Sequence, residues 1–233
     1  MKKLFLILAL FPLVMTAQEN SIVVGVSYAS VFSNYQFDNP AIDAYGWRTQ
    51  HAYKSKYNYS AGLSVEYRKK ILWGGRIAYV SKGYVLDYNF TAIDPDDPYL
   101  PKKSTVEAGY LDIGGIVGYP VTISHRVLVI PTVNLTYSTL INNKITTLSG
   151  DNKEYVSRNG EGIIILQALK QHLFSTGIGM EARLPLWGWI SLGIALSLYY
   201  TFDKVSDKAI KANSVFYTLN LGLYFKINRN DKE

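Results

Sequence analysis

Three histidines, their spacing and the hydroxyls and carboxylates near them set what chemistry this 233-residue chain could support. His51 lies in a polar stretch with Asp43 and Ser55, His125 sits in a short turn, and His172 precedes Ser175 by three residues. Acyl transfer by a lipid-modifying enzyme needs a hydroxyl, an imidazole and usually a carboxylate within hydrogen-bond reach. Residues three apart on a strand point to opposite faces, so His172 and Ser175 make a poor pair. No two histidines have the HExxH spacing of a zinc site. With no cysteine, thiolate nucleophiles, thiolate metal sites and disulfides are excluded. Asp94, Asp96 and Asp97 could offer carboxylates to Ca²⁺, but they lack the EF-hand pattern, and Pro95 and Pro98 mark a solvated loop tip. The expectation is a non-enzymatic protein with no cofactor, no metal and no catalytic residue. A membrane enzyme acting on lipid through histidine is the alternative from another class.

A second set of polar residues has a structural rather than catalytic pattern. Glu66, Arg76, Asp112 and Glu181 each fall among Gly, Ser, Ala, Thr and Asn on one face of an alternating segment. Their mixed signs suit a lumenal charge cluster, with Glu66 and Arg76 as a candidate ion pair. Arg68 and Arg183 stand near segment ends, where either a lumen or a headgroup layer could hold them.

The elements that must position these residues alternate with period two, the signature of strands. Residues 62–84 show it best. Leu63, Val65 and Tyr67, then Trp73, Ile77 and Tyr79, form an apolar face around a tight basic turn at 68–72. The same pattern recurs at residues 22–31, 108–119, 127–137, 174–182, 190–200 and 215–227, giving eight strands. Each is close to the length that crosses a bilayer at a tilt. The stretch 163–172 fits either a helical stripe or an extended segment. Connections alternate long and short, so a meander gathers every long loop at one end and every tight turn, with both termini, at the other. The polar stretch 142–161 contains Ser149-Gly150-Asp151-Asn152, a turn signal that would let its flanking strands continue as a hairpin.

Two closed barrels compete for this pattern, a soluble one with its apolar face inside and a membrane one with that face outside. The less apolar face is small and sparsely charged, which suits a narrow lumen better than a solvated exterior. Aromatics gather at the strand ends, as interfacial girdles do. At the turn end these are Tyr67, Trp73, Tyr119, Trp187 and Trp189, with Tyr224 and Phe225; at the loop end they are Tyr137, Tyr199 and Tyr200, with Tyr28, Tyr57, Tyr59, Tyr84 and Tyr217. The fold class expected is all-β, an eight-stranded antiparallel up-and-down transmembrane β-barrel. Lys2 and Lys3 followed by an apolar run, 4–14, and Thr16-Ala17 fit a signal peptide over residues 1–17, leaving 18–233 as the barrel domain. The formal charge of +6 is dispersed. It fits anionic lipid headgroups, including lipopolysaccharide, as partners, with protein partners at the loops or periplasmic face; no nucleic-acid motif accompanies it.

Two motifs resemble those of a known family. RIAYVSKGY, residues 76–84, is similar to the YxxKG element of PorT-like outer-membrane β-barrel proteins. Tyr110-Leu111-Asp112-Ile113 is similar to the element that follows it, with Gly114 where proline is usual. The resemblance implies an eight-strand barrel in the outer membrane of a Gram-negative bacterium. It also implies, as an alternative function, an accessory role in protein secretion to the cell surface.

Overall fold

The structure, a computed structural model, describes residues 21–38, 49–90, 101–124, 127–158, 170–202 and 211–227. All strand pairing among them is antiparallel. The segments are β1 (Ser21–Asp38), β2 (Thr49–Ser55), β3 (Tyr57–Arg68), β4 (Leu72–Phe90), β5 (Pro101–Gly118), β6 (Val121–Ser124), β7 (Val127–Ser149), β8 (Glu154–Arg158), β9 (His172–Trp187), β10 (Ile190–Thr201) and β11 (Lys211–Ile227). Eight of them form the closed wall in the order β3, β4, β5, β7, β9, β10, β11, β1 and back to β3. β2 continues β3 along β4, β6 is a short piece beside the start of β7, and β8 folds back on the end of β7. Closure leaves the wall without an exposed edge. No described helix is long and apolar enough to cross a membrane; the strands do the crossing.

Alternation sets the two faces. Val26, Leu63, Val65, Ile113, Val133, Ile178, Leu196 and Leu221 all point outward and lie about half exposed or more. The inward residues between them are Ser60, Ser64, Asn134, Ser175, Ser197, Thr218 and Asn220, all buried. An apolar belt around a polar interior is stable only where hydrocarbon meets the outer face, so this barrel spans a bilayer. The turn-end girdle is in place. Trp73, Trp187 and Trp189 are exposed, Tyr67 packs on Trp73 at 5.6 Å, and Trp189 packs on Phe225 at 5.9 Å. Tyr119 is half-buried beside the same end. At the loop end Tyr200 is exposed and Tyr137 half-buried, the latter stacked on His172 and tilted against Phe174.

Tyr199 does not belong to the girdle. It stands beside outward Tyr200, so alternation turns it inward, where it is buried and stacks on Phe216 at 4.8 Å. Tyr84 and Tyr224, also buried, are lumenal for the same reason.

The wall is uneven at the loop end. β1 and β11 pair as far as Asp38 and Lys211, and β4, β5, β7 and β8 continue well beyond the level of His172. The hairpin joining β7 to β8 turns at the expected place. Asn152 adopts the left-handed conformation (φ 60°), which asparagine tolerates, and its N–H donates to the Ser149 carbonyl at 3.0 Å. Lys153 bonds the Asp151 carboxylate at 2.7 Å, and Ser149 donates to it as well. The residues of the first 20, including the signal-peptide candidate, and residues 159–169, with most of the ambiguous segment, lie outside the described residues.

Two measurements check this arrangement. Leu196→Arg places a cation in the lipid-facing belt and should lower unfolding free energy in vesicles by about 2–4 kcal/mol, read from equilibrium urea titration. Neighbouring Ser197→Ala, on the lumenal face, should cost no more than about 1 kcal/mol. At the hairpin tip, bonds from Lys153 and Ser149 favour the charged form of Asp151 and lower its pKa to about 2. The carboxylate contacts are therefore complete above the ordinary carboxyl range and are lost as pH falls through about 2. A carbon-13 titration should show that midpoint, and Lys153→Ala should move it upward.

Candidate functional site: the charged lumen

The polar lumen is organised by an arginine on β9. Arg183 is 2% exposed, and its guanidinium meets two carboxylates on different walls. Nη1 and Nη2 each donate to Glu66 on β3 at 2.7 Å. Nε donates to Glu181 at 2.6 Å and Nη2 to the other Glu181 oxygen at 2.9 Å. In the eight-membered ring of strands β3 and β9 are four positions apart in either direction, so this bridge crosses the full width of the barrel. Only a planar fork can serve two carboxylates bidentately, which is why lysine would not substitute.

The chain clears space for this bridge. The Arg183 guanidinium lies 3.6 Å from the centre of the Tyr224 ring, a cation–π stack. The ring in turn covers Gly25, Gly193 and Gly222, on three adjacent strands, where an added Cβ would come within 2.5–2.8 Å of ring atoms. Gly74 does the same for Glu66, whose Cα would be 2.9 Å away. Arg68 completes the group, 3.8 Å from Glu66.

A second group crosses the lumen nearer the loop end. Lys82 on β4 is 5% exposed and reaches Asp112 on β5 at 3.5 Å and the Ser138 hydroxyl on β7 at 3.1 Å. Its ammonium is held between the rings of Tyr110 (5.0 Å) and Phe216 (4.9 Å). Arg76 lies between the two groups. Its Nη2 donates to the Ser60 hydroxyl at 3.4 Å, and its Nε has no hydrogen-bond partner.

All four residues of the expected cluster, Glu66, Arg76, Asp112 and Glu181, face the lumen, but the partners differ from the expected ones. The β3–β4 register puts Glu66 opposite Gly74 and Arg76 opposite Ser64, which sets Arg76 one step along the wall while Glu66 is taken by Arg183. Arg183 is in the lumen and not in a headgroup layer. Lys82, the lysine of the YxxKG-like element, is mid-strand and lumenal. Continuing the inward alternation of Arg76, Ala78 and Val80 by one step finds it. Gly83 beside it lies under the Val106 carbonyl, 2.6 Å from where a Cβ would stand.

The histidine candidates do not converge in what the structure describes. His172 faces outward and shares a 2.7 Å hydrogen bond with the Tyr137 hydroxyl. Ser175 is buried on the lumenal side against Thr201 at 3.1 Å. His125 and the 94–97 acidic loop lie outside the described residues, as does Asp43. Among the described residues no group of three His, Cys, Asp or Glu side chains could hold a metal.

With two charged crossbars in a small-residue lumen and an apolar exterior, the fold is that of an outer-membrane β-barrel. No family model matches the chain, and no curated protein matches it. Among solved structures it is similar to the outer membrane protein OprG from Pseudomonas aeruginosa, with a TM-score of 0.52 and 12% identity over 90% of this chain and 97% of that one. It is also similar to Neisserial surface protein A, with a TM-score of 0.49 and 14% identity over 90% of this chain and all of that one. At such identities the likeness speaks for the fold alone, and the OprG match carries it.

The crossbar makes a clear energetic prediction. Arg183→Met leaves two buried carboxylates facing each other and should cost about 3–5 kcal/mol. Removing the carboxylate charges as well, in Glu66→Gln/Glu181→Gln/Arg183→Met, should recover a large part of that loss. Urea unfolding of the three proteins (wild type, single and triple) in the same vesicles gives the comparison.

Proposed function

We propose that this protein is an outer-membrane scaffold with a structural or interaction role, non-enzymatic, carried by the segments at its loop end. The observation that supports this reading is the uneven wall. Strands β4, β5, β7 and β8 rise past the apolar belt as paired sheet, while the turn end is trimmed to short connections. Long extracellular loops over short periplasmic turns are the usual orientation of such barrels, and binding residues concentrate on loops held by a rigid frame. Lipid and lipopolysaccharide surround the belt in this reading, and the partners that matter are macromolecules at the raised sheet.

The PorT-like motifs favour a more specific reading, an accessory role in protein secretion to the cell surface. The lumenal role of Lys82 gives the Lys-Gly pair a structural reason, so the motif supports the barrel type more directly than the secretion role. Deletion of the gene should impair export of surface proteins if the accessory reading holds, and normal export removes it.

The scaffold reading is tested on membrane-extracted protein. Unboiled samples should migrate faster than boiled ones on a denaturing gel, and protease added to intact cells should cut in the β7–β8 hairpin while leaving the belt protected. Protection of the hairpin in intact cells, with cleavage only after the periplasm is opened, would reverse the orientation.

A further inference from the structure

The two crossbars divide the lumen into compartments. At the turn end a vestibule of about 380 Å³ is lined by Arg68, Trp187, Ser191, Tyr224 and Lys226. Beyond the Arg183 crossbar lies a cavity of about 40 Å³, and next to it one of about 30 Å³ that reaches Asp112. Tyr224 lines both the vestibule and the nearer cavity, so its ring and Arg183 are the partition between them. Arg76, Asn134 and Tyr199 line both small cavities, which therefore form one chamber between the crossbars.

The chamber is polar and has unmet hydrogen-bonding capacity. Arg76 Nε, Asp112 Oδ1 and Asn220 Oδ1 are buried with no protein partner. A water needs roughly 10–15 Å³ and two or more polar neighbours, so both cavities are large enough to be wet. Taken together, the two crossbars and the chamber between them hold four cations, Arg68, Arg76, Lys82 and Arg183, against three carboxylates, Glu66, Asp112 and Glu181. Arg183 and Arg68 answer Glu66 and Glu181, and Lys82 answers Asp112. Arg76, the cation that lines both small cavities, has no carboxylate within ion-pair distance.

The lower crossbar has a built-in alternative pairing. Glu66 sits between Arg183, which spans the lumen, and Arg68, 3.8 Å away on its own strand. A rotation of Glu66 from Arg183 to Arg68 keeps both ions paired, Arg183 with Glu181, while it breaks the bridge across the barrel. No backbone hydrogen bond of the wall has to change.

We propose that the lumen is a normally closed pathway for small monovalent anions. The Arg183–Glu66 and Lys82–Asp112 crossbars are its two gates, and Arg76 is the charge that selects the anion. This goes beyond the scaffold reading, which requires no conduction and survives if the pathway is absent.

The test is planar-bilayer recording in a potassium chloride gradient, with folding of each variant verified by heat-modifiable migration. Wild type should show rare, brief openings. Each gate is removed without changing the net lumenal charge, by Glu66→Gln/Arg183→Met and by Lys82→Met/Asp112→Asn. The combined variant should conduct steadily with a reversal potential displaced toward chloride. Adding Arg76→Gln should lower the chloride-over-potassium preference by about tenfold, the scale of one strong charge interaction. A folded combined variant as silent as wild type overturns the pathway, and an anion preference unmoved by Arg76→Gln overturns the selector. If the combined variant does not fold, Arg183→Lys keeps the charge while losing the fork. Folded Arg183→Lys should open at least about tenfold more often than wild type, and equal opening overturns the gate.

Discussion

Everything inside this barrel is arranged around one guanidinium held between two opposite walls. A charge removed from water costs several kcal/mol unless its hydrogen bonds are met. Arg183 meets that condition with four charge-assisted bonds, and it does so by reaching across the lumen. Three glycines must then vacate the volume under Tyr224, because the ring that stacks on Arg183 needs it. The small residues of the lumenal face are therefore a consequence of the crossbar as well as of the narrow diameter that eight strands impose.

The same constraint explains why the interior is not apolar throughout, its hydrophobic clusters (Val31, Ala78, Val80, Tyr199 and Phe216; Ala108, Tyr110 and Leu173) sharing the space with buried ions. A soluble barrel would gain stability by filling its centre with hydrocarbon. Here the exterior is already in hydrocarbon, and apolar contact is available everywhere along it, so it does not discriminate one closure from another. Crossbars do. Arg183 joins β9 to β3, and Lys82 joins β4 to β5, β7 and the Phe216 ring on β11. Apart from Lys82–Asp112, which joins neighbouring strands, these contacts tie strands that are not neighbours and so help fix the register of the closed ring.

This is also why the sequence shows the wall plainly and the lumen only in part. Strand number, loop asymmetry, the lipid-facing set and the β7–β8 turn follow from period-two alternation and turn residues, both local properties. Alternation assigns Glu66, Arg76, Asp112 and Glu181 to the lumen just as locally. It cannot name their partners. The Glu66–Arg183 pair is separated by 117 residues and depends on the combined register of all the strands between, so Arg76, nearer in sequence, looks like the better match. The misplacement of Tyr199, Tyr84 and Tyr224 has a different origin. There the aromatic type, which favours an interface, competes with strand parity, and parity prevails because an adjacent residue already occupies the outer face.

The arrangement separates two demands on the chain. The belt must be generic, since lipid is generic, and it is built from interchangeable Val, Ile and Leu. The lumen must be specific, since each buried charge has to find its counterpart, and it has little freedom to vary without leaving an ion unpaired. The raised sheet at the loop end is bound by neither demand. Its Lys56–Glu107, Lys54–Asp87 and Lys153–Asp151 pairs are at least partly solvated, and surface pairs contribute little to stability. Substitutions there cost the barrel almost nothing, so that end can vary in sequence while the crossbars below keep the wall fixed.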